Sequence, residues 1–101
     1  YAAMRGVLLT YSELLTLPAQ IFRQLLSGEG HHRYQHALRL CHRLSRRHVL
    51  AYQKATDTPD PFFQRPAEQE WYYRVRLLLD FISGMTDTYV LEEYRLLNGW
   101  V

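Results

Sequence analysis

Residues 71–89 read WYYRVRLLLDFISGMTDTY, and the spacing of their apolar members sets the fold class. Trp71, Val75, Leu78, Ile82, Met85 and Tyr89 recur at alternating steps of four and three. At roughly 100° per residue they form one stripe of an α-helix. The pattern predicts a single long helix from about Ala67 to Leu97, with that stripe as its core face. On the same wheel Tyr73, Arg76, Asp80, Gly84 and Asp87 gather within roughly 100° on the opposite side. Arg76 and Asp80, four apart, are spaced to pair, and Gly84 costs the helix about 1 kcal/mol relative to alanine. Two readings of this face stay open. It is either a solvated surface with an ordinary ion pair, or a face left bare so that another element can approach closely.

Upstream of this helix, TDTPDPFFQRP holds Pro59, Pro61 and Pro66, so an extended loop over 57–66 is expected, pinned by Phe62 and Phe63. Further back, Tyr34, Ala37, Leu38 and Cys41 point inward from one helix. Ser45 suits the N-cap of a second, RRHVLAYQKA, meeting the first at a bend. At the start, Met4, Val7, Leu8, Tyr11, Leu14 and Leu15 make another apolar stripe. Thr16 is placed to cap the following helix, with Pro18 in its first turn and Ile21, Phe22, Leu25 and Leu26 on its buried side. Gly28 and Gly30 end it. No stretch alternates like a strand and no internal repeat is visible. The expected architecture is all-α: one small multi-helix domain over 1–101 with a long C-terminal helix.

Composition bounds the function. The 101 residues are 48% apolar, enough for a modest core, and eight tyrosines offer rings that pack while their hydroxyls bond. A lone cysteine, Cys41, rules out an intramolecular disulfide framework, and a cytoplasmic setting is the default. No apolar run reaches the roughly 20 residues of a membrane span, and no signal-peptide pattern opens the chain, so no membrane partner is expected. The start at Tyr1, directly in a helical pattern, reads as a piece of a longer polypeptide.

Net charge is +2 but unevenly spread. Between Gly30 and Thr56 lie Arg33, Arg39, Arg43, Arg46, Arg47, Lys54 and all five histidines, without one acid. Such a segment suits either an anionic partner or a solvated face. No catalytic triad, glycine-rich phosphate loop or metal motif is present. The histidines include one i, i+4 pair, His32 and His36, without the carboxylates a hard-metal site needs.

The order YYRVRLLLDFISGMTDTYVLEEYRLL, Tyr72 to Leu97, resembles the C-terminal end of bacterial deoxyguanosine triphosphate triphosphohydrolases, whose last helix carries a D-[FY]-I-S-G-M-T-D-x-Y signature. RLCHRLSRRHVLAYQKA, Arg39 to Ala55, is similar to the segment preceding it there. The resemblance covers most of the chain. It implies the phosphohydrolase-associated part of an HD-superfamily enzyme that splits dGTP into deoxyguanosine and triphosphate at a divalent-metal site, with Mg or Mn. The metal ligands of those enzymes, H…HD…D, lie in an upstream catalytic body, and this chain has no His-Asp dipeptide. It implies no catalytic residue here, but substrate-side roles for Arg39, Tyr73, Asp80 and Asp87. Arg33, Arg43, Arg46 and Arg47 are then candidates for phosphates or for the single-stranded DNA that activates similar enzymes. The implied partners are the HD body, dGTP and further copies of the chain, since related enzymes are hexamers. The alternative is a free-standing helical module for nucleic-acid binding or oligomerisation.

Overall fold

The structure, a computed structural model, describes residues 2–30, 32–85 and 87–98, and of residues 2, 3 and 87–91 the backbone only. The described chain is all-α. Helix α1 (Ala2–Tyr11) runs into a 3-10 turn, Ser12–Thr16. After α2 (Ala19–Leu26) and a short 3-10 turn, His32–Tyr34, come α3 (Gln35–Arg43), α4 (Arg46–Ala55), α5 (Pro66–Ser83) and α6 (Asp87–Asn98). Helix α1 packs on α6, α2 on α3 and α4 on α5, while α5 also touches α1, α2 and the first 3-10 turn. Helix α5 is therefore the central post. Around it, Val7, Tyr11, Leu14, Phe22, Leu25 and Leu40 are sealed from solvent.

The C-terminal segment departs from the single long helix that periodicity predicts. It breaks after Ser83: Gly84 caps α5 at φ −80°, ψ −3°, donating to the Asp80 carbonyl, and Met85 donates to that of Ile82. Gly84 is not in the left-handed region, and a Cβ there would meet only its own helix, 3.3 Å from the Asp80 oxygen. Among the described residues nothing approaches closely enough to require the glycine. Its low helix propensity, next to Ser83, is the physical reason the helix stops there.

The buried face of α5 is also rotated from the expected stripe. Leu78 and Ile82 are buried as expected, Val75 and Met85 are half-buried, and Trp71 is 48% exposed. In place of Trp71 the helix buries Gln69, Glu70 and Arg74, together with Leu77 and Phe81. Charges are costly to bury singly, which is why a hydropathy pattern turns them outward. Here they are buried as a set. The Arg74 Nε and Nη2 donate to the two Glu70 oxygens at 2.8 and 2.6 Å, and the Tyr52 hydroxyl donates to Glu70 as well. The remaining Nη1 of Arg74 donates to the carbonyls of Leu14 at 3.1 Å and Leu17 at 2.6 Å. Those oxygens belong to the end of the 3-10 turn, where intrahelical partners run out. Arg74 thus fastens α5 to α4 and to the turn between α1 and α2.

A second set of the same composition holds α6. Glu93, 2% exposed, accepts from the Tyr11 hydroxyl at 2.7 Å and from Arg43, whose Nε lies at 2.6 Å. Tyr11 also meets Phe81 edge-on, with ring centroids 5.4 Å apart. One carboxylate thereby joins α1, α3 and α6.

Local expectations fare variously. Gly28, at φ 83°, ends α2 in a Schellman arrangement: Glu29 donates to the Gln24 carbonyl and Gly28 to that of Leu25. Thr16 does not cap α2; its hydroxyl turns back to the Glu13 carbonyl inside the 3-10 turn, and Pro18 stands just before the helix rather than in its first turn. Leu8, expected in the core, is 44% exposed because α1 presents Val7 and Tyr11 instead. In α3, Leu40 is buried beside the expected Ala37 and Cys41. Ser45 occupies the N-cap of α4, although its side chain makes no capping bond. The loop expected over 57–66 ends one residue earlier, because Pro66 opens α5; in it Phe63 packs on Tyr72 and Tyr73, whereas Phe62 is 84% exposed. Gln69 completes the fastening, donating to the carbonyls of Ala55 and Thr58 and accepting from the Asp60 amide.

Candidate functional site

Helices α4 and α5 run antiparallel, with Ala55 opposite Gln69 and Tyr52 opposite Glu70. Between them lies a cleft of about 240 Å³ that brings together three of the residues singled out in the sequence as one face. Tyr73, Arg76 and Asp80 line it from α5, with Leu77 between them, and His48, Ala51, Tyr52 and Ala55 line it from α4. The face opposite the predicted core stripe is thus neither freely solvated nor wholly covered. It forms one wall of a concave surface.

The polar groups of the cleft differ in how far they are committed. The Tyr52 hydroxyl is bound to Glu70, and burial followed by that bond raises its pKa well above the ordinary phenol value. It stays protonated. Burial also works against the charged form of Glu70, but the hydrogen bonds from Arg74 and Tyr52 and the Arg74 and Arg23 charges outweigh it and hold the carboxyl below its usual range. Arg76 and Asp80 are half-exposed and 3.6 Å apart, an ion pair too long to be a hydrogen bond, and Arg76 is also hydrogen-bonded to Tyr72. The Nδ1 of His48 is buried with no hydrogen-bond partner. It is the one such side-chain atom among the described residues.

The other candidates lie apart from this cleft or have no described side chain. Arg39 is exposed on α3, and Arg33, Arg46 and Arg47 are exposed on the neighbouring turn and on α4. Arg43 is bound to the buried Glu93 and so has a structural partner that its place in a basic run did not reveal. The Asp87 side chain, like that of Tyr89, lies outside the described residues. Sequence reasoning missed His48 as a lining residue. The available signal was the i, i+3 and i+7 spacing of His48, Ala51 and Ala55, a small-residue face suited to close helix approach. Among the described residues no three His, Cys, Asp or Glu side chains come together as a metal site. No described helix is long and apolar enough to cross a membrane.

A family model of the phosphohydrolase-associated domain matches residues 10–96. Among curated relatives, the deoxyguanosinetriphosphate triphosphohydrolase of Yersinia enterocolitica is 43% identical over 96 residues, and that of Yersinia pestis strain Pestoides F is 43% identical over 99 residues. The protein of the same name from Serratia proteamaculans is 42% identical over 96 residues. In each case the match takes in 94% of this chain and 19% of the relative, so the chain spans about a fifth of their length. With the matched residues running from the end of α1 almost to the end of α6, the chain belongs to the phosphohydrolase-associated domain family.

Proposed function

We propose that this chain is the helical C-terminal part of a dGTP triphosphohydrolase, a hydrolase converting dGTP and water to deoxyguanosine and triphosphate. The observation that carries the reading is the 43% identity, across 94% of the chain, to proteins bearing that name. In this reading the chain is not catalytic alone. A catalytic body elsewhere in the polypeptide holds the divalent metal, Mg or Mn, which supplies electrostatic activation of the phosphate and the water. The residues described here do not form a set suited to that ion, and their contribution is to position and to neutralise. Arg39 is assigned to the nucleotide's phosphate oxygens, which a guanidinium matches in shape and charge. Assembly into a cytoplasmic oligomer, a hexamer as in related enzymes, belongs to the same proposal. The exposed apolar side chains Leu8, Leu9, Trp71 and Tyr72 support it as surface available to the body or to further copies.

The test uses the complete protein that contains this segment, assayed for triphosphate release from dGTP with each metal. Turnover is expected in the complete protein and none in the 101-residue chain. Arg39→Ala should lower kcat/KM about tenfold or more, the usual worth of a hydrogen bond to a charged group. Absence of triphosphate release with both metals would refute the substrate, and an unchanged kcat/KM in the variant would refute the role of Arg39.

A second reading, single-stranded DNA as a partner, is favoured by the acid-free stretch from Gly30 to Thr56 with Arg33, Arg46 and Arg47 exposed. It requires binding that weakens with salt, and the slope should fall by about one for each phosphate-contacting arginine removed. Binding indifferent to salt would exclude it.

A further inference from the structure

We propose that Glu13 is a positioning residue for Arg39, acting through His36 and the helix that carries both. The inference rests on the hydrolase reading, with Arg39 at the nucleotide's phosphates, and adds to it how the chain holds that guanidinium in place. His36, Arg39 and Arg43 follow one another on α3 at steps of three and four, so they share one stripe about 60° wide. The outer two are tied to other elements. The His36 Nδ1 lies 2.7 Å from Glu13 Oε2, and because a carboxylate only accepts, the imidazole donates. Arg43 is bound to the buried Glu93 of α6, its Nε at 2.6 Å. Arg39, between them, is exposed and has no hydrogen bond or ion pair among the described residues. Both of its neighbours on the stripe face an acid of this chain, and Arg39 is left to meet an anion from outside it.

Glu13 secures the weaker end of α3. The C-terminal end is fixed by the buried carboxylate of Glu93. The N-terminal end has neither a capping side chain nor an acid in its first turn, although its unpaired amides and the positive end of the helix dipole favour one there. Glu13 brings that charge from the 3-10 turn Ser12–Thr16, which packs against α3. The turn is itself braced, since Arg74 donates to the carbonyls of Leu14 and Leu17. A line of hydrogen bonds therefore runs from the central helix α5, through the turn, to His36, three residues before Arg39. Both partners of the His36–Glu13 bond are half-exposed, so it sets where this end of α3 lies while adding little to the stability of the fold.

The test is dGTP turnover by the complete protein that contains this segment, comparing the native form, Glu13→Ala, Arg39→Ala and the double variant as a cycle. Glu13→Ala should raise KM about fivefold with kcat unchanged, the pattern of a weakened binding contact at the upper worth of an exposed ion pair. In the Arg39→Ala background the same substitution should change KM by less than about twofold. Glu13→Gln, whose amide oxygen still accepts from the imidazole, should stay within about twofold of the native KM. A loss of equal size with and without Arg39, which is what a merely structural role gives, would overturn the proposal. So would an unchanged KM in Glu13→Ala, or a glutamine variant as impaired as the alanine one. The two readings fail separately: a native protein that releases no triphosphate from dGTP refutes the hydrolase reading and this proposal together, whereas native turnover with an additive cycle refutes the positioning role alone.

Discussion

Replacing Arg74 with methionine tests the claim that a buried ionic set organises the core. Arg74 is 3% exposed, holds both oxygens of a 4% exposed Glu70 and satisfies two backbone carbonyls. Methionine fills much of the space but leaves a buried carboxylate without its counter-charge and two carbonyls without donors. Removing one partner of such a pair costs about 3–5 kcal/mol. With a urea slope of about 1.5 kcal/mol/M, a loss of about 4 kcal/mol moves the unfolding midpoint down by about 2.7 M. For a domain whose whole stability is about 5–15 kcal/mol, the variant is close to the threshold of folding.

Neutralising the stranded acid separates the two contributions. In Glu70→Gln/Arg74→Met the lone charge is gone and only the unsatisfied carbonyls of Leu14 and Leu17 remain, so about half the loss should be regained. The pH dependence should also change sign. In the native chain the Glu70 carboxyl is held below its unfolded value, so its stabilisation is present above about pH 4 and is lost as pH falls through the folded pKa. In Arg74→Met, burial, the largest single influence, is opposed only by the Tyr52 hydrogen bond and the Arg23 charge, so the carboxyl should rise above the unfolded value and the destabilisation should grow as pH rises through that raised value. Urea midpoints of the three proteins between pH 4 and 8 measure this. A loss below about 1 kcal/mol in the single variant, or parallel pH slopes for it and the native chain, would refute the reasoning.

Three further outcomes follow from the packing. Glu93 is likewise held below its ordinary range, burial being outweighed by the Arg43 and Tyr11 hydrogen bonds, so Glu93→Gln should flatten the acid limb of the native stability profile in a pH-dependent melt. A Cβ at Gly6 would lie 2.2 Å from Tyr94 Cε1, so Gly6→Ala should lose about 1–2 kcal/mol of stability in denaturation despite better helix propensity, and should instead gain about 1 kcal/mol in a Tyr94→Ala background. Burial pushes the Cys41 thiol up to about 12 and leaves it 5% exposed, so a thiol reagent at neutral pH should label the native chain only at the rate at which it opens, and rapidly in denaturant.

The helical class and the punctuation at Gly28 and before Pro66 were legible because they follow from local chemistry: periodicity, a left-handed glycine and prolines that withhold amides. The rotation of α5 was not, because hydropathy assigns Glu70 and Arg74 to solvent. Their burial depends on Tyr52, Leu14 and Leu17, which lie 18, 60 and 57 residues away from their partners in the chain. The i, i+4 spacing of Glu70 and Arg74 was visible, yet such pairs are ordinary on exposed helices, and only tertiary contacts distinguish the two cases. The cleft follows the same logic from the opposite side. Tyr73, Arg76 and Asp80 were readable as one face of a helix, but a face becomes a site only when a second wall stands across from it. That wall is set by the buried set itself: the hydrogen bonds of Tyr52 and Gln69 fix α4 against α5 and thereby place His48, Ala51 and Ala55 opposite the acid and the arginine. Loosening the Glu70–Arg74–Tyr52 set should therefore disturb the cleft as well as the core, so that Tyr52→Phe, which keeps the ring and drops the hydroxyl, alters amide shifts along both of its walls rather than at the substituted residue alone.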